Sequence, residues 1–393
     1  MTAPSPLWLG LTVIFWVLAG IVFYTFVGYP AVLLVLSRLR PRDVRRGSGT
    51  PLVSVVTAAH NEASCIRATI ENKLSLDYPA DRREIIVISD ASDDGTDEIV
   101  REFADRGVRL LRQSERRGKS AALNLGLEIA KGEIIVFSDA NSIYERSALR
   151  ELVRAFEDPS VGYVTGKMVY THPDGSVIGE GCSAYMRYEN RLREWETKVG
   201  SIVGVDGGVD AMRRGLYQPL RPDQLPDFVV PLRVTRAGYR VVYEPAAVLR
   251  EPTTTKPTDE YRMRVRVALR ALWALREEQD LLNPFRFGVF SWQLFSHKVL
   301  RYGAFAPLFL LLVVNGILAI QPGLYRILFW VQAACYGAGA LGFLLSGRRS
   351  VPGILSLPYY FILIQAASCH AAIKLLAGQT IVVWNPRTGC THG

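Results

Sequence analysis

Cysteine is scarce in this chain. There are five among 393 residues, Cys65, Cys182, Cys335, Cys369 and Cys390. They lack the close spacing of a zinc site or a disulfide framework, which fits a reducing compartment. The chain also has no internal repeat and no low-complexity tract. No GxGxxG follows the first strand-like run, which argues against a dinucleotide-binding oxidoreductase. The most informative absence is charge: residues 7–36 carry none. That run is too long for a signal-peptide core, and it has neither a basic leading region nor a small-residue cleavage site. It therefore reads as a retained membrane anchor.

Charge returns abruptly after it. SRLRPRDVRR carries Arg38, Arg40, Arg42, Arg45 and Arg46, which places this end in the cytoplasm and the N-terminus outside. Further candidate spans cover about 302–320, 324–345 and 357–376. The GRR at 347–349 agrees with an inside loop, and the tail at 379–393 is then expected outside. Mean hydropathy is slightly positive although 21% of residues are charged, so lipid-facing stretches flank a charged soluble block. The net charge of +9 does not point first to nucleic acid, because many arginines flank the spans, where topology and anionic lipid account for them. PFRFGVFSWQLFSHKVLRYG mixes aromatics with Arg286, His297, Lys298 and Arg301. It reads as an amphipathic helix in the membrane interface, with His297 an interfacial anchor rather than a metal ligand. The expected organisation is an anchor (1–37), a cytoplasmic domain (51–284), an interface helix (285–301), C-terminal spans (302–378) and a tail (379–393).

Between residues 51 and 284 the pattern alternates. LVSVVTAA, EIIVISDAS, VRLLRQ and EIIVFSDAN are short runs rich in β-branched residues, and helical spacing separates them in HNEASCIRATIENKL, DDGTDEIVREFADRG and SAALNLGLEIAKG. Such alternation predicts an α/β fold with a mostly parallel sheet covered by helices. Ligands of such sheets bind at the carboxyl ends of strands, where the polar clusters of this chain fall. Asp90, Asp93 and Asp94 follow the second strand, and their carboxylates suit ribose hydroxyls or a nucleobase amide. Arg116, Arg117 and Lys119 open the third helix, where cations and free N–H groups suit a diphosphate. Asp139 and Asn141 end the fourth strand two residues apart, on one side by alternation, where their oxygens suit a divalent cation. Taken singly, each is also an ordinary solvated turn; their succession at neighbouring strand ends is what points to a site.

The series VSVVTAAHNEA, SDASDDGT, RRGKSAALN and SDAN resembles the family-2 glycosyltransferases with a GT-A fold, a Rossmann-like sheet. The likeness is greatest to the membrane-bound branch of cellulose, hyaluronan and poly-N-acetylglucosamine synthases, and it covers about residues 51–272. It implies that Ala59, Glu62 and Asp90 lie at the nucleoside, with Lys119 at the phosphates; His60 and His172 read as loop polar groups, of which His60 is the better placed to line the donor pocket. Asp139 then belongs to the metal-binding DxD, with Asn141 replacing the second Asp. VGVDGGVDAMRR resembles the acceptor-facing loop, with Asp206, Gly207 and Gly208. LPDFVVPLRV places Asp227 as the catalytic base, with Pro226 where the family has another acidic residue. The QxxRW element aligns with residues 263–267: Arg266 is retained to clamp the pyrophosphate, Met263 replaces Gln and Val267 replaces Trp. Trp273, two helical turns on, is the nearest substitute for that Trp.

The resemblance thus implies an inverting, metal-dependent hexosyltransferase of the bacterial inner membrane. It would use a UDP-sugar, Mg²⁺ or Mn²⁺, and a saccharide or lipid-linked acceptor in cell-surface polysaccharide (exopolysaccharide) or glycolipid synthesis. Its partners would be donor, acceptor and lipid bilayer, with no nucleic acid. About four spans leave little material for a polymer channel in one chain; a homo-oligomer would supply more. The departures at Asn141, Met263 and Val267 motivate the alternative, a non-catalytic nucleotide-sugar-binding component of a secretion complex.

Overall fold

The computed structural model of the chain describes residues 5–171, 177–252, 257–346 and 353–381. His172, read from sequence as a loop residue, the inside loop at 347–349 and the tail from residue 382 lie outside the described residues.

Helix α1, Pro6–Leu39, begins where the Ser5 hydroxyl caps the amide of Trp8 and Pro6 supplies a preset φ. It is apolar all round, and Leu7, Val13, Trp16 and Phe23 stay exposed. A protein core does not cover this helix; its length and composition suit a bilayer. After it, residues 40–50 run along the α/β domain. The amide of Arg42 donates to the Lys198 carbonyl at 2.7 Å and Arg46 pairs with Glu244 at 2.7 Å.

The sheet starts with four parallel strands, β1 (Val53–Ala59), β2 (Arg83–Asp90), β3 (Val108–Gln113) and β4 (Ile134–Asp139). The β1 and β4 runs are buried on both faces, as strands covered by helices must be. Helices α2 (Ile66–Leu74), α3 (Thr96–Arg101) and α4 (Lys119–Ile129) connect them. Then follow β5 (Ile143–Tyr144), α5 (Ala148–Arg154), β6 (Val161–Thr171), α6 (Val177–Val199), β7 (Val209–Arg213), α7 (Pro226–Arg236), β8 (Arg240–Pro252) and α8 (Pro257–Glu277). The order across the sheet is β3-β2-β1-β4-β7-β6-β8-β5. β7 is antiparallel to β4 and β6, β6 is parallel to β8, and β5 is antiparallel to β8. One apolar layer joins Val53 and Val55 to Ile66 and Ile70 of α2 and Leu149 and Leu152 of α5. The other joins Val56 and Ile135 to Leu123 of α4, Val229 of α7 and Ala271 of α8. The winding reverses between β1 and β4, which leaves a crevice at their carboxyl ends.

The expected α/β fold is present, with shorter helices than the periodicity suggested. The second element begins at Ile66 rather than near His60, because residues 60–65 turn to meet the β2 loop. There Asn61 takes a positive φ of 55° and the Glu62 amide donates to the Thr96 hydroxyl at 2.9 Å.

At the C-terminal side, α9 (Val289–Gly303) and α10 (Phe305–Leu318) meet at a 56° bend, followed by α11 (Leu324–Leu345) and α12 (Gly353–Leu376). Among the described residues three helices, α1, α11 and α12, are long and apolar enough to cross a membrane, and the bent pair makes a fourth if it counts as one span. The expectation for His297 is corrected here. It is 2% exposed, with Nδ1 at 2.6 Å from Glu196 and Nε2 at 3.1 Å from Glu189, both on α6. It is a buried bridge between helices, not an anchor at an interface. Among the described residues Cys182, Cys335 and Cys369 are free.

Candidate active site

A cavity of about 340 Å³ opens at the strand ends, between the sheet and α6, α7 and α8. Its centre is Lys119, the first residue of α4. The preceding Gly118 takes a φ of 91°, a conformation that glycine adopts without strain, and this brings the chain from β3 into the helix. The ammonium lies 2.7 Å from an Asp139 oxygen and 3.6 Å from an Asp227 oxygen. Burial alone would lower its pKa, but the two carboxylates outweigh it and hold the lysine above its ordinary value. Lys119 thus ties the end of β4 to the start of α7.

Asp227 sits in the first turn of α7 behind Pro226. Burial raises its carboxyl above the ordinary range and Asp139 adds to this, while Lys119 and Arg270 pull it down. Gly207, at φ 88°, forms the wall behind it: a Cβ there would collide with the Asp227 carboxylate. Beneath lies Asp210 of β7, fully buried, with neither oxygen in a well-formed hydrogen bond. Burial and the neighbouring Asp227 push it up to about 8. Glu62 is raised to about 7, by burial first and then by Asp139, Asp94 and Glu251.

The loop carrying Asp139 and Asn141 is braced from behind by α2. Thr69 donates to the Ala140 carbonyl at 2.6 Å, buried Lys73 donates to Ser142 O at 2.6 Å, and Asn72 exchanges two 2.8 Å bonds with the Tyr144 backbone. The Tyr144 hydroxyl reaches the Gly208 carbonyl at 2.7 Å and Ser142 reaches Glu251 at 3.0 Å. The 139–144 loop and the 206–208 loop are therefore held as one unit. Strand β4 ends at Asp139, so Asn141 shares its side through this turn and not through strand alternation; both residues line the cavity.

Among the described residues no group of three His, Cys, Asp or Glu side chains forms a metal site. Asp139 and Asn141 offer two oxygens, and the carboxylates of Glu62, Asp227 and Glu251 add negative charge to the same cavity. That fits a cation of the magnesium type, which takes one or two protein oxygens and completes its shell with phosphates and water.

Other expected residues are placed differently. Asp90 is fully buried, and its two oxygens accept from the amides of Arg117 and Gly118 at 2.7 and 2.9 Å. It holds the loop before α4 and does not face the cavity. Ala59 is buried in the sheet, and Ala58 is the residue that reaches the cavity. The His60 ring packs inward with Nδ1 2.7 Å from the Asp90 carbonyl. Asp206 lines the cavity and pairs with Arg193 of α6 at 2.5 Å. Arg266 also lines it, one turn before Arg270, whose guanidinium holds the Asp223 carbonyl at 3.1 Å and so steadies the approach to Asp227. Met263 and Val267 present apolar surface. Trp273 points elsewhere, donating to the Gln379 carbonyl at 2.9 Å. Glu251, Arg270 and Lys298 were not anticipated. Arg270 lies one helical turn from Arg266, a spacing that could have found it; the other two carry no local signal.

Residues 54–218 match the family model for glycosyl transferase family 2, so this part of the chain is a family 2 glycosyl transferase domain. The chain is 29% identical over 312 residues to the probable glycosyltransferase YdaM of Bacillus subtilis, covering 72% of this chain and 71% of that protein. It is 25% identical over 242 residues to the poly-beta-1,6-N-acetyl-D-glucosamine synthase of Staphylococcus epidermidis, covering 60% of this chain and 57% of that one. It spans about half the length of several other curated relatives that it matches. A mannosyltransferase from Pyrobaculum calidifontis, solved with GDP-Man and Mn²⁺, superposes with a TM-score of 0.74 at 25% identity, covering 94% of this chain and 99% of that structure. The resemblance read from the sequence is borne out, and the fold is GT-A-like.

Proposed function

We propose that this chain is a membrane-embedded, inverting glycosyltransferase that moves a sugar from a nucleoside diphosphate to a saccharide or lipid-linked hydroxyl on the cytoplasmic side. The observation that carries the reading is the single ammonium of Lys119 shared by Asp139 and Asp227, which brings the donor-side and base-side carboxylates into one cavity. Asp227 is the base. It takes the acceptor hydroxyl proton while that oxygen bonds to the anomeric carbon, and the bond from carbon to diphosphate breaks with its electron pair leaving on the diphosphate. Its raised pKa suits it to hold that proton. Lys119 and Arg266 receive the departing negative charge. A divalent cation bound by Asp139 and Asn141 would neutralise more of it. Asp90 acts through the loop before α4, and Asp206, Gly207 and Gly208 shape the acceptor wall around Asp227.

The resemblance favours a UDP-sugar, whereas the similar mannosyltransferase was solved with GDP-Man, so the donor screen must include both bases. Purified enzyme in detergent, given UDP- and GDP-sugars with a membrane lipid extract, is expected to release nucleoside diphosphate from one of them, with release lost on adding a chelator. No release from any nucleotide sugar under these conditions would contradict the reading and favour a non-catalytic component.

A further inference from the structure

A second cavity, of about 280 Å³, lies between α1, α6, α9 and α12. Its walls are largely apolar and aromatic, with Phe26 from α1, Tyr188 from α6, and Leu357 and Phe361 from α12. α1 and α12 are two of the helices long and apolar enough to cross a membrane. The two cavities share walls: Tyr185, Lys298, Tyr302, Ile364 and Ser368 line both. An apolar chamber on the membrane side therefore adjoins the polar one that holds Asp227.

Charge is unevenly met at this junction. Arg301 is ion-paired with Glu189. Lys298 has no such partner: among the described residues its ammonium makes neither an ion pair nor a hydrogen bond. It lies 5.9 Å from the ring centre of Phe228, the residue after Asp227. It also presses on the loop before Asp206 so closely that a Cβ at Gly204 would collide with it. The nearest carboxylates, Glu189 and Glu196, act on it only at a distance and are already bonded to His297 and Arg301, and a half-buried ammonium without a direct partner is costly unless an anion joins it. The helices are irregular at this place. α1 has a π turn at Tyr24–Gly28 and α9 has one at Phe295–Val299, and the two touch through the Tyr24 and Ser296 hydroxyls at 2.8 Å. Such turns recur beside functional sites because they re-aim side chains.

We propose that this second cavity is the acceptor's entrance from the membrane. It receives a lipid whose anionic phosphate rests at Lys298 and whose head-group hydroxyl faces Asp227, while its chain lies against Phe26, Tyr188 and Phe361. A water-soluble sugar phosphate would satisfy Lys298 but leave the apolar walls wet, so the geometry selects a lipid. The proposal rests on the glycosyltransferase reading above and names the class of its acceptor.

The test uses the full chain in phosphatidylcholine nanodiscs, with a phosphatidylglycerol probe bearing a photoreactive acyl chain, chosen because its phosphate adjoins free hydroxyls. Crosslinks are expected on the peptides of Phe26, Tyr188 and Phe361. Labelling is expected to fall about tenfold in Lys298→Glu, the loss of one charge-assisted contact, and to fall also in Ala184→Trp, which fills the cavity without changing its charge. Free glycerol phosphate should not compete. Equal labelling by a phosphatidylcholine probe, or full competition by glycerol phosphate, would overturn the proposal in the wild-type chain alone, whatever the variants do. Undiminished labelling in folded Lys298→Glu would overturn it too. UDP and GDP binding, read on the same discs, separates the two ideas: labelling as expected with no nucleotide bound supports the lipid entrance and contradicts the transferase.

Discussion

The loops around Asp139 and the helices around His297 are both buried and polar, yet different forces hold them. At the sheet edge the bonds are mostly to backbone: Thr69, Lys73 and Asn72 of α2 meet the carbonyls and amide of residues 140–144. Among the helices around His297 the bonds converge on two buried carboxylates. His297 lies between Glu189 and Glu196, Arg301 pairs with Glu189, and the Tyr29 hydroxyl of α1 donates to Glu196 at 2.5 Å. Backbone bonding fixes a loop to within a fraction of an ångström, which suits the proposed role, in which the site would place a metal and a diphosphate. A buried ion network fixes which helices meet, at the cost of desolvating every charge in it. The first region is built for position and the second for assembly. Arg193, on the same helix as Glu189, carries the network to Asp206 and so to the wall of the catalytic cavity.

This contrast makes the two regions separable by mutation. The larger stability effect is expected at His297. Replacing it with Leu removes one buried partner from each of two carboxylates, a loss bounded by the about 3–5 kcal/mol of a broken buried pair. Arg301 and Tyr29 remain as partners, so the lower end is expected. Thermal unfolding in detergent should show it, with nucleotide affinity nearly unchanged in the fraction still folded. Lys73→Met, at the sheet edge, should cost less, about 1–3 kcal/mol, for the unsatisfied Ser142 carbonyl. Here nucleotide affinity should fall more than stability suggests, because the loop holding Asp139 and Asn141 loosens. If both variants lose stability and affinity in the same proportion, the division between the regions does not hold.

How much of this was legible in the sequence differs between the regions for the same reason. The four parallel strands were readable because runs of Val and Ile bracketed by Asp, Gly and Ser can form little else. Lys119, Asp139, Asn141 and Asp227 were readable as a series because each follows a strand or opens a helix, and Arg266, inside α8, through its place in the family's QxxRW element; the structure brings all five to one cavity. Position along a strand does not reveal what lies across from it. Asp90 looked like a ligand and instead accepts two backbone amides. Asn141 reaches the cavity through a turn that the α2 side chains impose. His297 was misread because its partners lie about 100 residues earlier on α6. Lys298 is one more cation beside an apolar run until the two cavities that it joins are seen.

The central claim is that Asp227 removes the acceptor proton in a cavity where burial has raised its pKa. The base acts only when deprotonated, so kcat/KM should rise with pH along an acid limb above the ordinary carboxylate value of about 3.9. Glu62, at about 7, can add a second inflection, so the assignment needs a variant. The decisive measurement is the pH profile of nucleoside diphosphate release by wild type and Asp227→Asn, with donor affinity measured alongside. The account predicts a turnover loss of about 10²–10⁴-fold in the variant, disappearance of the limb belonging to Asp227, and nucleotide still bound. Turnover within about threefold of wild type, with the acid limb intact, would contradict it.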